Sequence, residues 1–307
     1  MSRRRRGGRN ISGWLILDKP RGATSTDMVN LVKATTRARK VGHGGTLDPL
    51  ATGVLPIALG EATKTVPYIM EAPKHYRFTL RFGEARDTDD AEGRVIATSD
   101  LRPSDEDIRA ALAAFTGTIQ QRPPAFAAVK VEGRRAYELA RAGEPPTLAP
   151  RPVRIDRFVL LERPDPDHAR FEVVCGKGAY VRALARDLGE RLGCLAHVAE
   201  LRRLAVGPFT LAQAISPDAL RQLVEEDTLP QALLPVAAAL AGIPAFVATE
   251  PQAVRLRSGR SIRVSPALLP EDAKDGDTLR VLRGGQLVAL ARLEDAVLSP
   301  VRVFHGP

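Results

Sequence analysis

One carboxylate stands out in residues 42–53, Gly-His-Gly-Gly-Thr-Leu-Asp-Pro-Leu-Ala-Thr-Gly. Asp48 is the lone acid in a run built otherwise from glycine, threonine, proline, apolar residues and one histidine. Glycines suit a backbone that bends sharply or lets a ligand approach closely. Pro49 fixes its own φ and biases Asp48 towards extended backbone. A single acid on such a rigid loop is a candidate nucleophile or general base. By spacing alone, an aspartate before proline is more often a turn-former or a helix cap.

The surrounding sequence supplies elements that could position this loop. Residues 13–18 read as a buried strand, with Trp14, Leu15, Ile16 and Leu17 continuous and apolar. Thr24-Ser25-Thr26-Asp27 has the form of a capping box and opens a helix predicted to reach about Ala38. Glu61 to Met70 is predicted helical. From His75 to Phe82 the chain alternates, with Tyr76, Phe78, Leu80 and Phe82 on one face of a half-buried strand.

Ser104 opens a second capped helix that Gly117 follows. A hairpin near 129–133, a helix over 135–142 and strands near 155–161 and 171–175 come next. Tyr180 to Leu192 is predicted as a helix with Val181, Leu184, Leu188 and Leu192 as its buried stripe. Ser216 caps a further helix. Gly242-Ile243-Pro244 reads as a domain boundary before a β-rich tail.

Composition narrows the function classes. The 307 residues suffice for two domains. No apolar run is long enough for a spanning helix, and the arginines near the N-terminus lack the apolar stretch of a secretory signal. Cys175 and Cys194 are the only cysteines, which argues against a disulfide framework and fits a cytoplasmic protein. The five histidines lack metal-ligand spacing, so no metal is expected. The net charge of +9 invites a nucleic-acid partner, but five of those charges sit on Arg3, Arg4, Arg5, Arg6 and Arg9. Residues 1–10 are therefore read as a disordered basic arm, either a salt-sensitive phosphate binder or a solubilising tail. The acidic run from Glu84 to Glu92 fails the ligand spacing of a calcium loop and reads as a solvated turn.

The Asp48 loop, followed by Gly60-Glu61-Ala62-Thr63-Lys64, resembles the catalytic motif of the TruB-type tRNA pseudouridine synthases. Gly13 to Pro20, Lys74-His75-Tyr76, Asp87 to Gly93, Lys177 to Arg182 and Leu201-Arg202-Arg203 resemble other blocks of that family, in the family's order. The likeness extends over about residues 11–215. Phe126-Ala127 departs from it, because the family often has Tyr-Ser there.

The resemblance implies an α+β fold: a mixed, mainly antiparallel sheet flanked by helices over residues 11–243. A small β-rich, PUA-like RNA-binding domain over 244–307 would follow. It implies an isomerase that converts uridine 55 in the T-loop of tRNA to pseudouridine by base flipping. No cofactor and no guide RNA are expected, and the protein is expected to act as a monomer. Asp48 would be the essential nucleophile. Its charge would need a partner cation, since an isolated buried carboxylate takes up a proton. The family's pairing nominates Arg182, which can hold a carboxylate in bidentate geometry. Tyr76, Tyr180 and Leu201 would line the uracil pocket, and His43 would contact the RNA loop; a backbone-bonded loop histidine is the competing reading. Lys19, Lys64, Lys130, Arg202 and Arg203 are candidate RNA contacts, with structural ion pairing as the alternative. A non-catalytic RNA-folding protein and a guide-dependent relative are the rival functions, and an accessory tRNA-folding role is compatible with the first.

Overall fold

The computed structural model describes residues 8–127, 129–131, 133–144 and 146–305, without the side chains of residues 130, 131, 135, 138 and 141. Strand β1 (Gly13–Lys19) leads through a turn into helix α1 (Ser25–Thr36). The Asp27 N–H donates to Thr24 Oγ1 at 3.0 Å and the Thr24 N–H donates to Asp27 Oδ2 at 2.9 Å, so the capping box satisfies two donors reciprocally. The helix stops at Arg37, which adopts the left-handed φ of 56°.

Strands β2 (Val41–His43) and β3 (Thr52–Leu59) then pair antiparallel, and the Asp48 loop connects them. The segment expected to be one helix splits instead. Gly60–Thr65 is a 3-10 turn, and helix α2 covers Val66–Glu71 with Pro67 in its first turn. Strand β4 (Lys74–Phe82) follows, then the hairpin β5 (Glu84–Arg86) and β6 (Val95–Thr98). Helix α3 (Asp105–Leu112), strand β7 (Gly117–Gln121), the short hairpin β8 (Lys130–Val131) and β9 (Arg134–Arg135), and helix α4 (Ala136–Arg141) come next. Long strands β10 (Arg151–Asp165) and β11 (His168–Cys175) precede helix α5 (Val181–Arg191). Strands β12 (Ala196–Val206) and β13 (Phe209–Thr210) and helix α6 (Pro217–Glu225) complete this part of the chain.

Nine of these strands form one mixed sheet whose main path runs β1-β3-β12-β4-β11-β10-β7. Only the β12–β3 contact is parallel. One face is covered by α1, α3 and α5: Met28, Val32, Ile108, Leu112, Leu184 and Leu188 join Leu15, Leu55, Phe78, Leu80 and Phe171 in a single core. The ring of Phe78, 1 % exposed, stacks on Phe171 with centroids 5.5 Å apart. Burial of one such ring contributes about 2–3 kcal/mol. The opposite face near β1 and β3 is sealed by Trp14, Val54, Ile69 and Phe209.

A second, five-stranded sheet has the order β14-β16-β17-β18-β15. Its strands are β14 (Ala245–Val247), β15 (Ile262–Arg263), β16 (Thr278–Arg283), β17 (Gln286–Glu294) and β18 (Val297–Val303), with helix α7 (Glu250–Arg257) against it. It has its own core around Phe246, Leu256, Val281 and Leu293. The fold is α+β. The chain end ties back to the large sheet: Lys64 donates to the Val303 carbonyl at 2.9 Å, the His305 N–H donates to Glu61 at 2.9 Å, and Phe304 packs with Leu240, Leu290 and Tyr68.

Two expectations need correcting here. Residues 1–7 of the basic arm lie outside the described residues, but residues 8–10 are ordered against the end of α1. The Arg9 N–H donates to the Arg37 carbonyl at 2.8 Å, and Arg39 Nε donates to the Gly8 carbonyl at 2.7 Å. The acidic run is not a solvated turn either. Asp90 is 3 % exposed, and Ala91 N–H and Val198 N–H exchange backbone bonds across it with the Val198 and Asp89 carbonyls. Charge alone suggested solvent; two arginines on α5 reverse that.

Candidate active site

The loop that carries Asp48 is anchored on each side of it. The Leu47 N–H donates to Ser25 Oγ at 2.8 Å, and the Ser25 hydroxyl donates back to the Leu47 carbonyl at 3.1 Å. The Pro49 carbonyl accepts from the Gly22 N–H at 2.8 Å and from Lys19 Nζ at 3.3 Å. Leu47, Leu50 and Ala51 are buried beneath the loop. Arg203, on β12, holds the loop's flanks by donating to the carbonyls of Gly45, Thr46 and Val54. Gly53 makes this approach possible: its φ is +102°, and a Cβ there would lie 2.2 Å from the Arg203 carbonyl oxygen.

Arg182 enters from the first turn of α5 and is 4 % exposed. Its Nε donates to Asp48 Oδ2 at 2.9 Å. The contact is not bidentate, because the other nitrogens donate to the carbonyls of Thr88 at 3.0 Å and Phe126 at 2.9 Å. The backbone of Phe126 supplies this contact, so the missing hydroxyls of the Phe126-Ala127 departure leave it intact. Asp90 Oδ2 lies 3.6 Å from Arg182 Nε, and Thr88 Oγ1 donates to Asp90 Oδ1 at 2.6 Å. Burial disfavours the guanidinium charge, but Asp48 and Asp90 outweigh it and push the Arg182 pKa up. One buried cation thus serves two carboxylates, of which Asp90 is sequestered and Asp48, with 36 % of its side chain exposed, faces outward.

Asp48 and Arg182 line a pocket of about 260 Å3 with Tyr76, Tyr180, Leu201, Lys74, Met70 and Arg203. Tyr76 is in register opposite Val173 and Arg203 on the neighbouring strands. Burial raises the pKa of its phenol, with Arg203 opposing, so the hydroxyl is protonated at neutral pH. Tyr180 is the N-cap residue of α5, and Gln121 fixes its backbone on both sides: the Tyr180 N–H donates to Gln121 Oε1 at 2.8 Å and Gln121 Nε2 donates to the Tyr180 carbonyl at 3.1 Å. The Arg151 guanidinium sits 5.4 Å from the Tyr180 ring centre. His43 is outside this lining. Its Nδ1 accepts from the Gly45 N–H at 3.3 Å, and burial, with Arg203, lowers its pKa.

The candidate RNA contacts separate sharply. Lys19 is fully buried, donates to the carbonyls of Pro20, Ala23 and Pro49, and has its pKa pushed down to about 8 by burial. Arg203 is 1 % exposed with every nitrogen engaged. Both therefore hold the loop and have no surface to offer a phosphate. Lys64 pairs with Glu61 at 2.6 Å and ties down the chain end. Arg202 pairs with both oxygens of Asp18 but keeps 39 % of its side chain exposed. The side chain of Lys130 lies outside the described residues.

The sequence reading missed Asp90 and Lys74. Lys74 donates to the carbonyls of Met70 and Ala72 at the end of α2, and burial lowers its pKa to about 8. Its phase with Tyr76 and Phe78 on β4 was the available signal. Among the described residues, no group of three or more His, Cys, Asp or Glu could hold a metal ion, and no helix is long and apolar enough to cross a membrane.

Comparison with known proteins finds relatives over nearly the whole chain. Residues 33–181 match the profile of the TruB family pseudouridylate synthase N-terminal domain, and residues 182–241 match that of the tRNA pseudouridylate synthase B C-terminal domain. Both matches end before the second sheet. The chain is 55 % identical to the tRNA pseudouridine synthase B of Gluconacetobacter diazotrophicus, over 98 % of this chain and 100 % of that one. It is 52 % identical to the protein of the same name from Rhodospirillum rubrum, over 99 % and 100 %. Among solved structures, a chain of a Cbf5-Nop10-Gar1 complex superposes with a TM-score of 0.74 at 26 % identity, covering 95 % of this chain and 85 % of that one. A chain of the archaeal box H/ACA sRNP Nop10-Cbf5 complex gives 0.73 at 25 %, covering 95 % and 86 %.

Proposed function

Because the chain belongs to the TruB family of pseudouridylate synthases, we propose that it isomerises uridine 55 in the T-loop of tRNA to pseudouridine, acting alone and without a guide RNA. The observation that carries this reading is the pairing of Asp48 with buried Arg182 in a pocket walled by two tyrosines and Leu201.

The reaction breaks the bond from ribose C1′ to uracil N1, rotates the base, and joins C1′ to C5. The C5 proton is lost and N1 gains one, so nothing is oxidised or reduced. Asp48 supplies the carboxylate, whether by attack at C1′, by taking the C2′ proton, or by adding to the ring. Arg182 orients that carboxylate and supplies its counter-charge. Tyr76 offers a ring face to the uracil and a neutral phenol near C5, while Tyr180 and Leu201 close the pocket on the base.

A stacked uridine cannot reach Asp48, so the target nucleotide is extruded at a cost of a few kcal/mol. His43, neutral and half-buried at the end of β2 where the Asp48 loop begins, contacts the RNA loop beside the vacated stack. Residues 11–243 act as the catalytic domain, and the β-rich domain at 244–307 adds RNA-binding surface. Arg202 is the best placed of the candidate phosphate contacts. The reaction is assigned to the cytoplasm.

Purified protein incubated with an unmodified tRNA transcript and no guide RNA tests the proposal. Pseudouridine at position 55 alone is the expected result. Modification at other sites, or none until a guide RNA is added, overturns it.

A further inference from the structure

Arg182 and Arg186 lie one helical turn apart on α5 and grip the same two segments. Arg182 holds the acidic turn through the Thr88 carbonyl and Asp90, and the 122–126 segment through the Phe126 carbonyl. Arg186 holds the same turn through Asp89 Oδ2 at 3.0 Å and the same segment through the Arg122 carbonyl at 2.8 Å. The Arg186 and Asp89 side chains are each 14 % exposed. Asp187 is a second carboxylate on Arg186, with Nε donating to it at 2.9 Å.

Asp89 lies within this turn, its N–H donating to the Arg86 carbonyl at 3.0 Å. Its φ is +60°, a left-handed conformation that aspartate and asparagine tolerate better than most residues. Asp90 follows directly and shares Arg182 with Asp48. Any shift of Asp89 therefore moves the carboxylate that competes for the Arg182 guanidinium. Neither Asp89 nor Arg186 lines the pocket.

We propose that Asp89 and Arg186 are positioning residues for pseudouridine formation: their ion pair locks the acidic turn and the 122–126 segment onto α5 and so sets where Arg182 meets Asp48. The inference rests on the role given to Asp48 and Arg182 above. Displacing a reacting group by about 1 Å can cost on the order of 10²-fold in rate even when the altered residue is remote from the chemistry.

The test uses the full-length protein and unmodified tRNA transcript. Single-turnover rate, tRNA Kd and Tm are measured for Arg186→Met, Arg186→Lys, Asp89→Asn and, as a reference, Asp48→Asn. Arg186→Met is expected to slow the chemical step by about 10- to 100-fold with Kd within threefold. Arg186→Lys recovers part of that loss. Asp89→Asn, which keeps the turn's backbone tolerance, slows it by about 10-fold. Rates within twofold of the parent, a loss confined to Kd, or a loss no larger than the drop in folded fraction overturns the inference. An inactive parent or an active Asp48→Asn instead defeats the underlying reading, so the two failures are told apart.

Discussion

Arg182 Nε lies 2.9 Å from Asp48 Oδ2 across 134 residues of sequence. The guanidinium reaches it only because three other contacts hold its plane: the Thr88 and Phe126 carbonyls and Asp90. Lysine has one ammonium and no fork, so it cannot reproduce this set. Arg182→Lys is expected to lower turnover on the order of 10²-fold or more, equivalent to about 3 kcal/mol of barrier. Arg182→Met should in addition lower the Tm, since it leaves Asp90 buried without its cation. Steady-state kinetics and thermal melts check both; a lysine variant with near-parent turnover contradicts the account.

Loop geometry gives a second expectation. A Cβ on Gly53 would meet the Arg203 carbonyl oxygen at 2.2 Å, and its φ of +102° disfavours any side chain, whereas a Cβ on Gly42 meets nothing within 4 Å. Gly53→Ala should therefore cost about 3 kcal/mol or more, or prevent folding, and Gly42→Ala should change stability by less than about 1 kcal/mol. Urea unfolding of the pair decides it, and equal effects would count against the loop's described conformation.

Arg203 makes a related claim on stability. Replacing it with methionine leaves the carbonyls of Gly45, Thr46 and Val54 without their donors. The Val54 bond is buried and the other two are partly buried, so the one fully buried acceptor sets an expected loss of about 1–3 kcal/mol or more in denaturant titrations. Salt dependence of tRNA affinity should change little, since a buried guanidinium neutralises no phosphate. A marked fall in the salt slope would return Arg203 to the RNA-contacting set.

Lys19 offers a pH signature. Burial lowers its pKa from 10.5 to about 8 in the folded protein. Between those values the unfolded chain binds the proton that the folded chain has released, so this group's contribution to stability rises with pH. Comparing the parent with Lys19→Met isolates it, because methionine does not titrate. The stability advantage of the parent over the variant should widen from pH 8 to 10.5 by up to about 3 kcal/mol. A gap that stays flat or narrows across that window contradicts a buried Lys19.

What the sequence made legible followed from local rules. The capping box of Thr24 and Asp27, the alternation of β4 and the stripe of α5 each record which side of an element is buried, and those elements formed where expected. Strand β3 was hidden because Pro56 and the glycines around it look like loop signals, yet Pro56 sits paired with Ile16 and its neighbours are buried. Asp89, Asp90, Lys19 and Arg203 were harder still. Their charges suggest solvent, and only tertiary packing reveals which guanidinium or carbonyls satisfy them. Asp48 was visible through its glycine-rich surroundings, but its bond to Arg182 spans a distance that no local pattern encodes.

The most direct test of the central claim is a single-turnover assay of Asp48→Asn against the parent on one unmodified tRNA transcript, with tRNA binding measured in parallel. The amide keeps the side chain's shape and removes its charge and nucleophilicity. The account predicts tRNA affinity within a few-fold of the parent and no pseudouridine. Pseudouridine formed by the Asp48→Asn protein at a rate near the parent's would contradict it.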